Sequence, residues 1–292
     1  MTALKTPAQS TFADATVSEV SSHIVVSCAP ATRLAAVAAT MASQSSHMAV
    51  ILAPGARRAL VISALDLIRA ALDGGLDRAA AEIAREPMAS IGGSAKLSEA
   101  VTMMARRDVA HLLVAEPGAD EPAGVLSSLD VASVLAGRDP ALTRTIRPEP
   151  ARPLVSATAL SATTVGAVMH RGVVTQPPGT PLDALAGTMA DLRVHCVAVA
   201  GVGRRKGADE HLLWGLVSDM DLVHAAHRGE LRTPASELAS SAPLALLETA
   251  GLDRAATLMA NHDATHVVAV GHAGLPSGVV STLDVLRVLA AG

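Results

Sequence analysis

Aromatic side chains are nearly missing. The 292-residue chain has one Phe (Phe12), one Trp (Trp214) and no Tyr. Nucleic-acid binders need a basic face for phosphates and often aromatic platforms for bases. Here 23 Lys and Arg stand against 27 Asp and Glu, a formal charge of −4, so nucleic acid is not expected as a partner. Cysteine is scarce as well: Cys28 and Cys196 cannot build a disulfide framework or a four-thiolate zinc site. No run approaches the ~18 apolar residues of a membrane span, and the first twenty residues lack the apolar core of a secretory signal. A cytoplasmic protein without a membrane partner is the expectation. No Gly-x-Ser-x-Gly elbow, P-loop or His-Glu-x-x-His motif occurs, and both cysteines are isolated, so the chain is read as non-enzymatic, with no catalytic or metal-binding residue.

What is present is a repeat. Hydrophobic residues make up 50% and charged residues 17%, a globular balance, and the length suggests about two domains. Four segments carry Leu, apolar at +3, apolar at +4 and Met at +7: Leu34 to Met41, Leu97 to Met104, Leu182 to Met189 and Leu252 to Met259. That spacing is one face of an amphipathic helix. A histidine follows each Leu by 13 or 14 residues (His47, His111, His195, His266) and opens an apolar strand. A second strand then ends in Ser-x-x-Asp before another apolar helix: Ser63 and Asp66, Ser127 and Asp130, Ser218 and Asp221, Ser281 and Asp284. Glycine starts this strand in three copies (Gly124, Gly215, Gly278), and Leu60 takes its place in the first. Ahead of each first helix stand Ser27, Ser90, Thr175 and Ala245.

Each unit therefore reads β-α-β-β-α, an α+β (α/β-like) fold in four copies. The predicted division is a flexible tail at 1–16, a first pair at 17–138 (units at about 17–75 and 83–138), a Pro- and Arg-containing linker at 139–163, and a second pair at 164–292 (units at about 164–228 and 234–292). Residues 201–210 read as an insertion in the third unit, a hairpin loop with a basic tip.

The four Met-ended helices, His-led strands and Ser-x-x-Asp turns resemble the cystathionine-β-synthase (CBS) domain. The resemblance implies two pseudo-two-fold pairs packed sheet to sheet, with adenosine ligands in the clefts between paired units. It implies that each turn Asp takes ribose hydroxyls and each Ser approaches phosphate, a role consistent with a carboxylate on a diol and a hydroxyl at a helix N-terminus. The candidates are Ser63, Asp66, Ser127, Asp130, Ser218, Asp221, Ser281 and Asp284. It also implies that His47, His111, His195 and His266 reach toward phosphate, although strand-edge histidines bonded to a neighbouring carbonyl would show the same pattern. The second pair keeps glycine, Ser and Asp intact and is favoured; Leu60 makes Ser63 and Asp66 the weakest pair. The same Ser-x-x-Asp pattern is also that of a helix capping box, so the turns alone leave both roles open. No carboxylate or thiol sits at ligand spacing beside the histidines, and no metal is expected. The function implied is a sensor that binds AMP, ADP or ATP, needs no cofactor, and acts as a homodimer or on a regulated protein. The alternatives are a ligand-free oligomerisation scaffold and a module for S-adenosylmethionine or NAD.

Overall fold

The computed structural model describes residues 12, 14–22, 26–52, 59–85, 89–115, 122–137, 158–204, 212–239, 244–272 and 274–291. Each repeat is a short strand, a helix, two strands and a second helix. In repeat 1 these are β1 (Ser27–Cys28), Leu34–Ser43, β2 (Met48–Ile51), β3 (Leu60–Ser63) and Ala64–Leu72; in repeat 2 they are β4 (Ser90–Ile91), Leu97–Arg107, β5 (His111–Val114), β6 (Gly124–Ser127) and Ser128–Leu135. A two-residue strand β7 (His170–Arg171) precedes repeat 3, which has β8 (Thr175–Gln176), Leu182–Leu192, β9 (Cys196–Arg204), β10 (Leu212–Ser218) and Asp219–Arg228. Repeat 4 has β11 (Ala245–Leu247), Leu252–His262, β12 (His266–Val270), β13 (Pro276–Ser281) and Thr282–Ala291. In every sheet the first strand runs parallel to the second and the second antiparallel to the third.

The helix stripes found in the sequence form the core. Met41, Met104, Met189 and Met259 are fully buried, as are Leu34, Leu97, Leu182 and Leu252, each worth about 1.5–3 kcal/mol of burial. The core is not closed within neighbouring repeats, however. One apolar cluster joins the helices of repeats 1 and 3, and another joins those of repeats 2 and 4. The sheets of repeats 1 and 2 meet through a smaller cluster of Met48, Val50, Ala59 and Leu113.

Segments preceding one repeat pair with the sheet edge of another. Ser22, ahead of repeat 1, exchanges hydrogen bonds with Val125 of repeat 2, at 2.9 and 3.0 Å. Arg85, ahead of repeat 2, donates to Val61 of repeat 1 at 3.0 Å. Strand β7, ahead of repeat 3, pairs with β13 of repeat 4. Sheets and crossing segments thus join repeats 1 to 2 and 3 to 4, while helices join 1 to 3 and 2 to 4, and the four repeats close into a ring.

Three local expectations change. Residues 1–11 and 13 of the expected tail lie outside the described residues, but Ala15 is buried and its carbonyl accepts from Leu97 at 2.9 Å, so the end of that stretch is docked on repeat 2. Most of the linker also lies outside, yet its final residues form a helix, Thr158–Ala162, with Leu160 buried. Residues 201–204, read as loop, continue β9, where Gly201 takes a φ of +87° and β9 pairs with β10 out to Arg204 and Leu212; the rest of that loop lies outside the described residues.

Candidate functional site: a central cavity lined by all four repeats

All four Ser-x-x-Asp turns form the same local structure. The Ser hydroxyl donates to Oδ2 of its Asp, at 2.7 Å in repeats 1, 2 and 4 and 2.6 Å in repeat 3. The Ser backbone N–H donates to the same oxygen at 2.8–3.2 Å. The Asp N–H returns a bond to the Ser hydroxyl at 3.1–3.3 Å. These are complete capping boxes, so one carboxylate oxygen in each turn is committed to the helix.

The other oxygen differs between repeats. In Asp66, Oδ1 accepts from Arg85 Nε at 2.8 Å. In Asp284 it accepts from Arg287 at 2.6 Å and His170 at 3.2 Å, and the carboxylate is nearly buried. Arg287 also pairs with Asp108 of repeat 2, tying repeat 4 to its helical neighbour. Asp221 is half-buried.

A cavity of about 1390 Å³ runs through the middle of the ring. Ser63, Asp66, Ser127, Asp130 and Ser281 line it, and so do His47, His111, His195 and His266. Ser218, Asp221 and Asp284 are not on its wall, nor is Trp214. The cavity therefore brings together both turns of the first pair, although the intact glycines had favoured the second. The chain turns into it at Asp108, Arg193 and Asp263, the left-handed residues ending the first helices of repeats 2, 3 and 4.

The histidines occupy two positions rather than one. His47 and His195 supply the carbonyls that accept from the residue after the turn serine (Ala64 and Asp219, at 2.9 and 3.0 Å). In repeats 2 and 4 that place belongs to Ala110 and Thr265, and the histidine comes one residue later, paired with Ser127 and Ser281. The 13- and 14-residue spacings encode this offset, and one residue along a strand reverses the face a side chain uses.

At the centre sits a carboxylate that motif reading passed over. Asp219, the second residue of the third Ser-x-x-Asp, is buried. His195 Nδ1 donates to its Oδ2 at 2.8 Å, and His47 Nδ1 lies 3.4 Å from its Oδ1. His266 stacks on His195 with ring centroids 5.7 Å apart, and its Nδ1 is bonded to the Thr265 hydroxyl at 2.8 Å. Burial opposes charge on Asp219, but the hydrogen bonds from His195 and His47 outweigh it and hold the carboxyl well below the usual range. Burial likewise opposes charge on His47, and the Asp219 hydrogen bond and charge raise it nonetheless. Burial, reinforced by neighbouring imidazoles, pushes His111 and His266 down to about 4. The buried Cys196 thiol is pushed up to about 12. The centre thus holds one anion, a histidine biased toward the cation beside it, and two imidazoles kept neutral. Among the described residues no group of three or more His, Cys, Asp or Glu has the geometry for a metal ion, and no helix is long and apolar enough to cross a membrane.

A ring of four β-α-β-β-α repeats around a central cavity, each repeat closed by a hydroxyl–acid turn, defines a tandem-repeat protein. The chain belongs to the CBS domain family, whose model matches residues 80–137, 165–228 and 235–291. The matched segments are repeats 2, 3 and 4; repeat 1, with Leu60 in place of glycine, has the same order of elements. The chain is similar to protein MJ1225 of Methanocaldococcus jannaschii, described as a candidate archaeal homolog of g-AMPK, with 15% identity, a TM-score of 0.70, and coverage of 94% of this chain and 99% of that one. It is also similar to a conserved protein of Pyrococcus horikoshii, with 15% identity, a TM-score of 0.55, and coverage of 94% and 100%. The CBS domain protein PAE2072 of Pyrobaculum aerophilum, solved with AMP, matches 44% of this chain and 100% of its own length at 25% identity and a TM-score of 0.37. No curated protein matches the sequence.

Proposed function

We propose that this protein is a non-enzymatic sensor that binds an adenine nucleotide within the central cavity and changes the packing of its two pairs of repeats, 17–138 and 164–292, in response. The observation that carries this reading is the cavity itself, on whose wall two Ser-x-x-Asp turns and four histidines from all four repeats meet. Its volume exceeds the ~300–1,000 Å³ of an ordinary small-molecule site. Aliphatic residues such as Val50, Val61 and Val125 line it as well, supplying apolar surface for a base. In this assignment Asp130, on the cavity wall with Ser127, is one ribose acceptor, with Ser127 beside the phosphates. Asp66 is the second, reached only if Arg85 is drawn away. Asp284, held by Arg287 and His170, and Asp221, off the cavity wall, are not assigned a ligand there. A ligand touching several repeats favours whichever ring arrangement brings its contacts together, a population shift set by differential affinity.

A panel of AMP, ADP, ATP, S-adenosylmethionine and NADH tested by thermal shift on the intact protein decides among ligands. Stabilisation by an adenine nucleotide supports the sensor. Silence toward all of them favours a ligand-free scaffold, a second reading supported by the capping boxes, which give each turn Ser and one oxygen of each turn Asp a role without a ligand. Assembly into a homodimer is part of the proposal, and light scattering in solution tests it.

A further inference from the structure

The residue after the turn serine occupies one equivalent place in every repeat: Ala64, Ser128, Asp219 and Thr282. All four are buried and border the cavity. Each donates its backbone N–H to the residue that leads into the His-bearing strand, at 2.8–3.0 Å. Where repeats 2 and 4 meet, Ser128 and Thr282 join their hydroxyls at 2.7 Å. The corresponding pair in repeats 1 and 3 is Ala64 and Asp219. Ala64 has no polar side-chain atom to offer, and the carboxylate is bonded instead to His195, accepts from the Met220 backbone N–H at 2.9 Å, and is paired with His47. Three repeats therefore place an uncharged residue here, and one places a buried anion against two imidazoles.

That anion has the chemistry of a ligand. A carboxylate and a phosphate both present oxygen acceptors with negative charge, and both take charge-assisted hydrogen bonds from imidazole N–H groups. Four arginines (Arg69, Arg85, Arg193, Arg287) share the wall with Asp66, Asp108, Asp130 and Asp263, so the charges around the centre nearly balance and it is the imidazole N–H groups that favour an anion there. We propose that the histidine centre is an oxyanion site, that the Asp219 carboxylate is its resident occupant, and that an incoming phosphate group must displace it from His47 and His195. Asp219 then sets selectivity by charge: the site disfavours ligands in proportion to the negative charge they bring to the centre, because two anions close together in a poorly solvated space repel strongly. This deepens the nucleotide reading and rests on it only in taking the cavity as the ligand site.

Inorganic tripolyphosphate tests the proposal without adenosine. Its binding to the intact chain is measured calorimetrically for the parent, Asp219→Ser and Asp219→Asn. Both variants are expected to bind it at least tenfold more tightly than the parent, while the affinity for adenosine, which carries no phosphate, stays within about twofold. Variants that fold and bind tripolyphosphate no more tightly than the parent overturn the proposal. If AMP, ADP and ATP bind none of the proteins, the nucleotide reading fails while the tripolyphosphate comparison still decides this one. Should the variants not fold, nitrogen-15 spectra of the parent's imidazoles serve instead: millimolar tripolyphosphate is expected to shift His47 and His195, and unchanged signals overturn the displacement.

Discussion

Four aspartates that look alike in sequence carry different loads. Asp221 uses Oδ2 for its cap, so Asp221→Ala is expected to cost about 1 kcal/mol, the usual size of a lost cap. Asp284 also holds Arg287 and His170 while nearly buried. Its removal leaves donors short of an acceptor, and Asp284→Ala is expected to cost about 2–3 kcal/mol. Urea unfolding of the two variants reads the difference; equal costs would mean that the Arg287 and His170 contacts contribute nothing to stability. The turns themselves were legible from spacing alone, because Ser and Asp lie three residues apart and satisfy each other locally. Asp219 was not, because its partner His47 is 172 positions away in the chain and no local pattern announces that meeting. The sequence did hold one unread clue, an acid at a place where the other copies have Ala, Ser and Thr.

Helices and strands were the most readable scale, and the reason is periodicity. Leu, two apolar residues and Met on one face allow few alternatives, and the four stripes became the four first helices. Glycine is expected at the start of the third strand, but only Gly124 stands there; Gly215 and Gly278 lie inside β10 and β13, and the structure shows that these glycines leave room for another segment's backbone. A Cβ on Gly278 would stand 2.6 Å from the His170 carbonyl oxygen, and one on Gly124 the same distance from that of Ser22, both on segments arriving from another repeat. In repeat 1, where Leu60 replaces glycine, Arg85 still forms an antiparallel bridge with Val61. Gly278→Ala is therefore expected to destabilise by about 2 kcal/mol or more, as overpacking against fixed backbone does. Gly187, in the helix Leu182–Leu192 with nothing within 4 Å of its would-be Cβ, provides the opposite case: Gly187→Ala is expected to stabilise by about 0.5–1 kcal/mol. Thermal unfolding of both variants checks the pair of signs.

For the whole molecule, the order of the repeats in the chain did not announce the order of packing. Apolar helix faces identify what is buried but not which copy buries it, so the pairing of helices 1 with 3 and 2 with 4 was out of reach of periodicity. The resulting ring concentrates four histidines at its centre, and its stability should follow their charge. His111 and His266 are held near pH 4 in the fold, against about 6.5 when unfolded. Between those values the unfolded chain binds more protons, so their contribution is full above about pH 6.5 and is lost as the pH falls toward 4. His47, raised by Asp219, works the other way: its contribution is present below about pH 6.5 and is lost as the pH rises through its folded pKa. Two depressed histidines outweigh one raised one, and the denaturation midpoint is expected to fall steadily from pH 6.5 to 4. In His111→Gln that slope is expected to be visibly shallower; a slope matching the parent would mean that His111 is not kept neutral by the fold.

The central claim is that the cavity between the repeats holds an adenine nucleotide through the turn of repeat 2. Calorimetric titration of AMP into the intact protein and into Asp130→Ala tests it most directly. Saturable binding to the parent, weakened at least tenfold in a variant that still melts as a folded protein, is the predicted result. Equal affinity in the two proteins, or no binding of AMP to the parent, would contradict it.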